Sequence, residues 1–232
     1  MKKIIFGLAV AISCTTVSYK SFAQKYFAGT ITFETKYEGD TDPQRHIPSQ
    51  QTCIIFENKE KAELYNGVLR TIKDGDALTV TMLVDWPGYP RIGYVSDKEA
   101  TQKALSSQKF SYEERSDTKT ICGYECKGYN VTAVVKEEEE EDEEEEAVEL
   151  KYIVYTTKEI GKDDNINALD YPGLSGYPLY VESEKDGVKT IIQASEVKKS
   201  KLKAVDFMVP SDYKMCSEEE FQEEMIKRAQ GQ

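Results

Sequence analysis

Residues 30–37, Thr30-Ile31-Thr32-Phe33-Glu34-Thr35-Lys36-Tyr37, decide the fold class, because larger side chains alternate there with polar ones. A period of two residues is typical of a β-strand with one buried face. The same pattern recurs along most of the chain, interrupted by turn signals such as Lys73-Asp74-Gly75-Asp76 and Lys185-Asp186-Gly187. The sequence therefore predicts a mainly antiparallel β protein, in the α+β class, with about ten strands.

Two capping boxes mark the predicted helices. Ser96 and Glu99 predict one helix between strands, and Ser217 and Glu220 predict a second one over residues 217–232. In this C-terminal helix the apolar residues stand four positions apart and form a narrow face; they are Phe221, Met225 and Ala229. Two further predictions are a hairpin turn at residues 123–125 and a last strand over residues 201–209.

An antiparallel sheet of this size has to curl or split so that one face is covered. We therefore expect a curved sheet, or half-barrel, that holds helices on its concave side. Residues 24–216 would form this single β-rich domain. The chain has 232 residues, of which 39% are hydrophobic, which suffices for one core.

Residues 1–23 have the pattern of a secretory signal peptide. Lys2 and Lys3 precede an apolar stretch over residues 4–12, and Ser21-Phe22-Ala23 offers small residues for cleavage after Ala23. Lipidation at Cys14 and a retained anchor are the alternatives. Each of these predicts a working domain outside the cytoplasm, periplasmic or secreted, and at most peripheral to the membrane.

The charge of the chain is concentrated in one place. The net charge is −12, and ten adjacent acidic residues form an acidic run between two predicted strands. We expect the run to be the tip of a hairpin, either as a solvated insertion or as a docking site for a basic protein partner. It consists of Glu137, Glu138, Glu139, Glu140, Glu141, Asp142, Glu143, Glu144, Glu145 and Glu146. A net-acidic chain without a basic stripe is a poor nucleic-acid binder.

Four cysteines remain outside the signal peptide, and an even number in an exported protein suggests disulfides. Cys122 and Cys126 flank a predicted turn, where a bridge would fix the hairpin register. Cys53 and Cys216 would then form a long-range pair. This connectivity is one of three, and the sequence leaves the other two open.

Nothing in the sequence predicts an enzyme, a metal site or a cofactor. His46 is the only histidine and lies in a polar loop, where a solvated side chain is expected instead of the base of a catalytic triad, and a two-histidine metal site lacks its second ligand. Carboxylates are too numerous for one catalytic pair to be recognised, and a hydrolase therefore stays as a minor alternative. Aromatic residues around one strand–loop–strand suggest the rim of an apolar pocket, with core packing as the alternative; they are Met82, Trp86, Tyr89 and Tyr94.

Four segments resemble a known group of proteins. They are residues 25–33 (KYFAGTITF), 121–129 (ICGYECKGY), 171–179 (YPGLSGYPL) and 207–213 (FMVPSDY). In these segments the chain resembles a group of exported proteins of unknown function from Gram-negative bacteria, within the LolA/LolB-like lipoprotein-carrier superfamily. The resemblance implies a curved half-barrel closed by helices around an apolar cavity.

The resemblance leads to a functional expectation. We expect a non-enzymatic protein whose cavity binds a lipid or another apolar small molecule. The alternative is a cell-envelope interaction domain with a packed cavity and an acidic docking hairpin.

Overall fold

The computed structural model describes residues 26–39, 49–136, 147–185 and 187–230. The strands are β1 Ala28–Glu38, β2 Gln50–Phe56, β3 Lys59–Leu64, β4 Leu69–Asp74, β5 Thr79–Val84, β6 Ile92–Ser96, β7 Gln108–Ile121, β8 Tyr124–Lys136, β9 Ala147–Thr157, β10 Tyr177–Lys185, β11 Val188–Lys199 and β12 Lys214–Met215. The α-helices are α1 Lys98–Ser106 and α2 Glu218–Ala229. In these four ranges, no helix has the length and apolar character needed to cross a membrane.

The strands of the described residues form one sheet, in the order β12-β6-β5-β4-β3-β2-β1-β11-β10-β9-β8-β7. Neighbouring strands run antiparallel, except that the short β12 lies parallel to β6. The predicted fold class, a mainly β protein with a curved sheet and a C-terminal helix, is confirmed. The sheet is slightly larger than predicted, with twelve strands where the sequence suggested about ten.

A short connection between the two ends of the sheet explains why it curls. Twelve strands spaced by about 4.8 Å would make a flat sheet roughly 50 Å wide. β6 lies next to one edge and β7 forms the other, yet the chain joins them through α1, which is only about 14 Å long. Because α1 contacts both β5 and β7, the two ends of the sheet approach each other across this helix.

The pairing register defines the concave face of the sheet. Cys53, Ala62, Thr71, Met82 and Tyr94 are cross-strand neighbours in one row from β2 to β6, so their side chains share a face. Apolar residues of β1, β2 and β10 form the main core; its most buried members are Ile31, Ile55 and Leu179. Two residues that follow β9, Ile160 and Ile166, pack into the same core.

Residues 201–213 cover the opposite, convex face of the sheet. The predicted strand over residues 201–209 is wrong, because residues Ala204–Phe207 form a 3-10 helix. Phe207 and Tyr213 are buried against Ile72 and Leu83 on the convex face. The apolar residues in this segment thus cover the outside of the sheet instead of adding a strand to its edge.

Two local predictions shift by one residue. The β7–β8 turn consists of Cys122 and Gly123, both at positive φ (51° and 85°), as a two-residue turn between strands requires.

α1 is capped by Asp97, whose carboxylate accepts a hydrogen bond from the Ala100 N–H at 2.9 Å. Ser96, the predicted cap, ends β6 instead. At α2 the predicted Ser217–Glu220 capping box is present in both directions.

Candidate functional site

A cavity of about 440 Å³ lies on the concave face. It is bounded on one side by β1–β3, on the other by β7–β11, and by the residues that follow β9. Its lining combines apolar and aromatic side chains with a few polar ones: Phe33, Gln51, Cys53, Glu60, Gln108, Phe110, Ala133, Val135, Leu150, Tyr152, Asn167, Asp170, Tyr171, Tyr177, Pro178, Val181 and Ile192. The volume lies within the roughly 300–1,000 Å³ range of small-molecule sites.

Residues 158–176, which we call the cover segment, connect β9 to β10 and supply three of the lining side chains. Buried Asn167 gives the segment its shape, since its amide donates hydrogen bonds to the carbonyls of Leu174 (3.0 Å) and Gly176. Gly176 has a φ of +82°, and a Cβ there would lie 2.8 Å from the backbone of Thr157. A glycine is therefore required where the segment returns to the sheet.

Asn58, in the β2–β3 turn, fixes the cover segment to the sheet. This residue is only 1% exposed. Its amide donates hydrogen bonds to Asp76 Oδ1 (3.0 Å) and Asp163 Oδ1 (2.7 Å). Its side-chain oxygen accepts hydrogen bonds from the backbone N–H groups of Lys162 and Asp163 at 3.1 and 3.3 Å. One buried side chain thus joins two turns of the sheet to the start of the cover segment.

A charged group stands at the side of the cavity formed by β3 and the cover segment. The Lys73 ammonium lies 2.6 and 2.7 Å from the two Asp170 oxygens and 3.7 Å from Glu60 Oε1. The Tyr177 hydroxyl donates a hydrogen bond of 2.6 Å to Glu60 Oε2. Burial by itself lowers the pKa of Lys73, but Asp170 and Glu60 outweigh it and raise this pKa above its ordinary value. Lys73 therefore stays protonated and neutralises one of the two carboxylates.

The remaining polar groups in the lining are neutral at pH 7. Burial raises the pKa of Tyr177, Tyr171 and the Cys53 thiol. Tyr171 also lies edge-on to Phe110 and Tyr152, with ring centroids 6.4 Å away in both cases. These aromatic contacts join the cover segment to β7 and β9 and form one wall of the cavity.

The residues that the sequence suggested as a pocket rim lie elsewhere. Met82, Trp86 and Tyr94 pack with Phe221 and Met225 of α2 at the other end of the concave face. Tyr89 lies beneath the Arg228 guanidinium, with 5.3 Å between the guanidinium carbon and the ring centroid. None of the four lines the 440 Å³ cavity, because α2 covers their part of the sheet.

The cysteines form neither of the predicted bridges, since all four are free thiols. Cys122 occupies the turn and donates to the Ala194 carbonyl at 3.3 Å, whereas Cys126 lies opposite Lys119 within the ladder. Cys53 on β2 and Cys216 beside β6 have β3, β4 and β5 between them. A disulfide needs Cα atoms within about 7 Å, so the Cys53–Cys216 pairing does not fit this fold.

The acidic run, Glu137–Glu146, lies outside the described residues, as do the signal-peptide residues and His46. The residues on either side of the run, Lys136 and Ala147, are paired in the β8–β9 ladder. The run therefore connects two adjacent antiparallel strands, as the sequence predicts. Within the described ranges, no group of three or more His, Cys, Asp or Glu side chains is placed to hold a metal ion.

Sequence reasoning missed the charged group because its members are far apart in the chain. Lys73 belongs to a turn signal that gives it no role in a cavity, and no motif singles out Glu60. One signal was available, since Asp170 directly precedes the Tyr171-Pro172-Gly173 motif that resembles other exported proteins.

No model of a known protein family matches the sequence, and no curated protein matches it. Among solved structures, PNGF-II has a TM-score of 0.53 and is 15% identical over 85% of this chain. This chain spans about a third of that protein, 32% of its length. LolA-like structures are also among the matches, each 10% identical. The LolA superfamily protein from Nitrosomonas europaea covers 81% of this chain and 92% of its own (TM-score 0.32), and lipoprotein LppX from Mycobacterium tuberculosis covers 73% and 86% (TM-score 0.31). At these identities the PNGF-II match shows the fold alone.

Proposed function

We propose that this chain is an exported, non-enzymatic binding domain that takes a lipid or another mainly apolar small molecule into the cavity under the cover segment. The observation that carries the proposal is the cavity itself, which is large enough for a ligand and lined mostly by carbon. Each CH₂ group transferred there from water would contribute about 0.8 kcal/mol to binding. The export of the chain rests on the pattern of residues 1–23.

The arrangement of the polar side chains supports binding rather than hydrolysis. The two carboxylates in the lining, Glu60 and Asp170, both contact the ammonium of Lys73. A hydrolytic pair needs one carboxyl group that donates a proton and another that stays free to act as base or nucleophile. Two carboxylates that share one cation are better suited to holding the cover segment and orienting a ligand.

Native mass spectrometry tests the proposal directly. The exported protein is purified from a bacterial periplasm, measured intact, and then extracted with organic solvent. We expect an additional mass that disappears on denaturation and is recovered in the extract. A protein that carries no ligand, and that retains no added lipid, would contradict the proposal and favour docking through the acidic run.

A matched pair of variants separates the cavity from the outer surface. Ala133 lines the cavity, whereas the next residue on β8, Thr132, faces the opposite side of the sheet. Ala133→Phe should fill part of the cavity and weaken ligand retention by about tenfold or more, while Thr132→Phe should retain the ligand. Circular dichroism establishes that both variants are folded.

A further inference from the structure

The cavity is polarised. The carboxylates and Cys53 belong to β2, β3 and the cover segment, whereas most of the aliphatic lining belongs to strands at the other end of the sheet. On that side Ala133 and Val135 lie on the same face of β8, and Leu150 of β9 is the cross-strand neighbour of Ala133. A ligand that fills this space would meet hydrocarbon at one end and charge at the other.

The charged end carries a net negative charge. Glu60 and Asp170 are the charged side chains of the lining, and Lys73 is the cation that contacts them. Two carboxylates and one ammonium leave one negative charge uncompensated within the group. A bound anionic headgroup would be repelled there, and a cationic headgroup would be attracted more strongly than in water.

Glu60 has the capacity to accept another hydrogen bond. Asp170 uses both of its oxygens for Lys73. Glu60 Oε2 accepts from Tyr177, but Oε1 has only the more distant Lys73 ammonium, at 3.7 Å, among the residues that the structure describes. A carboxylate oxygen accepts up to two hydrogen bonds, so a ligand N–H could be bound at Oε1.

Two aromatic rings line the same end of the cavity. The Tyr177 hydroxyl donates to Glu60, and Tyr171 directly follows Asp170 in the chain. The face of an aromatic ring attracts a cation within about 6 Å, and the attraction is stronger in a desolvated site. Carboxylate and aromatic groups together are the surroundings in which an ammonium group is favoured over a hydroxyl or a carboxylate.

We propose that the cavity selects amphiphiles with a positively charged amine, placing the ammonium at Glu60 and the alkyl chain along β8 and β9. This inference rests on the proposed function and specifies the class of ligand. It predicts a ranking among ligands that share one alkyl chain: the ammonium compound binds most tightly, the alcohol less tightly, and the carboxylate least.

Competition binding at pH 7 tests this ranking. Dodecylammonium chloride, 1-dodecanol and sodium dodecanoate are each titrated against the bound neutral dye Nile red, the two ionic compounds below the concentrations at which they form micelles and dodecanol below its solubility limit. We expect dodecylammonium to bind about tenfold more tightly than dodecanol, a difference of about 1.4 kcal/mol. We expect dodecanoate to bind more weakly than dodecanol.

Two substitutions on β3 provide the matched comparison. Glu60→Gln removes the carboxylate in the cavity, and Glu63→Gln removes one from the same strand on the convex face, where Glu63 pairs with Arg70. Both variants change the net charge by the same amount, so attraction of cations to the whole acidic protein is equal in them. Glu60→Gln should reduce the ammonium preference to about threefold or less while dodecanol still binds, and Glu63→Gln should leave the preference unchanged.

The outcomes separate the two proposals. Dodecanol binding without an ammonium preference, or a preference that survives Glu60→Gln, overturns the inference and leaves the proposed function standing. If none of the three ligands displaces the dye or binds, both fall together. If Glu60→Gln does not fold, Asp170→Asn replaces it with the same expectation, because Asp170 lies at the exposed end of the group.

Discussion

At the scale of single residues, Asn58 holds the cover segment to the sheet through three hydrogen bonds to Lys162 and Asp163, and its fourth hydrogen bond goes to Asp76 in the β4–β5 turn. Asn58→Ala would leave buried donors and acceptors unpaired, each at a cost of about 1–3 kcal/mol. We expect a loss of about 2–3 kcal/mol in the free energy of unfolding, measured by urea denaturation. The substitution Gln102→Ala, at an exposed position on α1, is the control and should change stability by less than about 0.5 kcal/mol. A similarly small effect of Asn58→Ala would contradict the anchoring role.

The Asp117 carboxyl group should have a pKa that is measurably lower than its ordinary value. Its carboxylate accepts hydrogen bonds from Arg115 Nε (2.8 Å) and the Tyr155 hydroxyl (2.5 Å), and these lower its pKa from 3.8 to about 2. Because the folded value lies below the unfolded one, this contribution to stability is complete above the unfolded pKa and is lost as the pH falls through the folded pKa. Carboxyl NMR titration should show the low value.

The Asp117 titration has its own controls. Arg115→Gln should move the pKa of Asp117 back toward its ordinary value. Lys127 lies on the facing strand, β8, and pairs with Glu114. Lys127→Gln therefore removes a nearby cation but should leave the pKa of Asp117 unchanged. A wild-type value near 3.8 would show that the two hydrogen bonds do not form in solution.

The cysteines differ enough in exposure to be told apart chemically. Cys122 is exposed in its turn, whereas Cys126 is fully buried, and burial raises the pKa of the Cys126 thiol to about 11. Since the thiolate is the reactive form, iodoacetamide at pH 8 should label Cys122 first and Cys126 only after denaturation. Peptide mass spectrometry locates the label. If Cys122 and Cys126 react only after reduction, the bridge predicted from their spacing exists after all.

At the scale of elements, the docking of α2 on the sheet depends on the aromatic ring of Phe221. Phe221 is 5% exposed, and its ring centroid lies 6.0 Å from that of Tyr94 on β6. Phe221→Ala should destabilise the protein by about 3 kcal/mol, because it removes the main contact between α2 and the sheet. Thermal unfolding measures the loss, with exposed Gln222→Ala as control. Equal melting temperatures for the two variants would mean that α2 is not docked.

The elements also show how far sequence reasoning reaches. The alternation in β1 and the capping box at Ser217 are local signals, and both predicted their elements correctly. The segment over residues 201–209 also alternates, but Phe207 packs on the convex face, and only the whole fold reveals that this face needed covering. A periodic pattern identifies a buried face without showing what buries it.

At the scale of the whole molecule, the half-barrel was predictable and the contents of its cavity were not. A sheet with this many strands and one face to cover has to curl or split, and the half-barrel is the curled outcome. The group formed by Glu60, Lys73 and Asp170 joins positions about a hundred residues apart. Its assembly depends on how the cover segment crosses the sheet, which no local pattern records. The rim residues predicted from aromatic clustering packed under α2 instead, because clustering cannot distinguish a cavity wall from a core.

A bound ligand should protect the cover segment from hydrogen exchange. The cavity is closed on one side by the cover segment, so opening of that segment should require release of the ligand. At a ligand concentration of about 100 times Kd, hydrogen exchange in residues 158–176 should slow by up to about a hundredfold. Residues 201–213 lie on the convex face and should exchange at nearly the same rate with and without dodecanol, if they open locally. Exchange measured by mass spectrometry resolves the two segments.

Ala133→Phe provides the control for this experiment, because a filled cavity should abolish the ligand-dependent slowing in residues 158–176 without changing exchange in residues 201–213. Slowing that is absent from the cover segment in the wild-type protein would contradict a ligand beneath it. Slowing that persists in Ala133→Phe would place the ligand elsewhere.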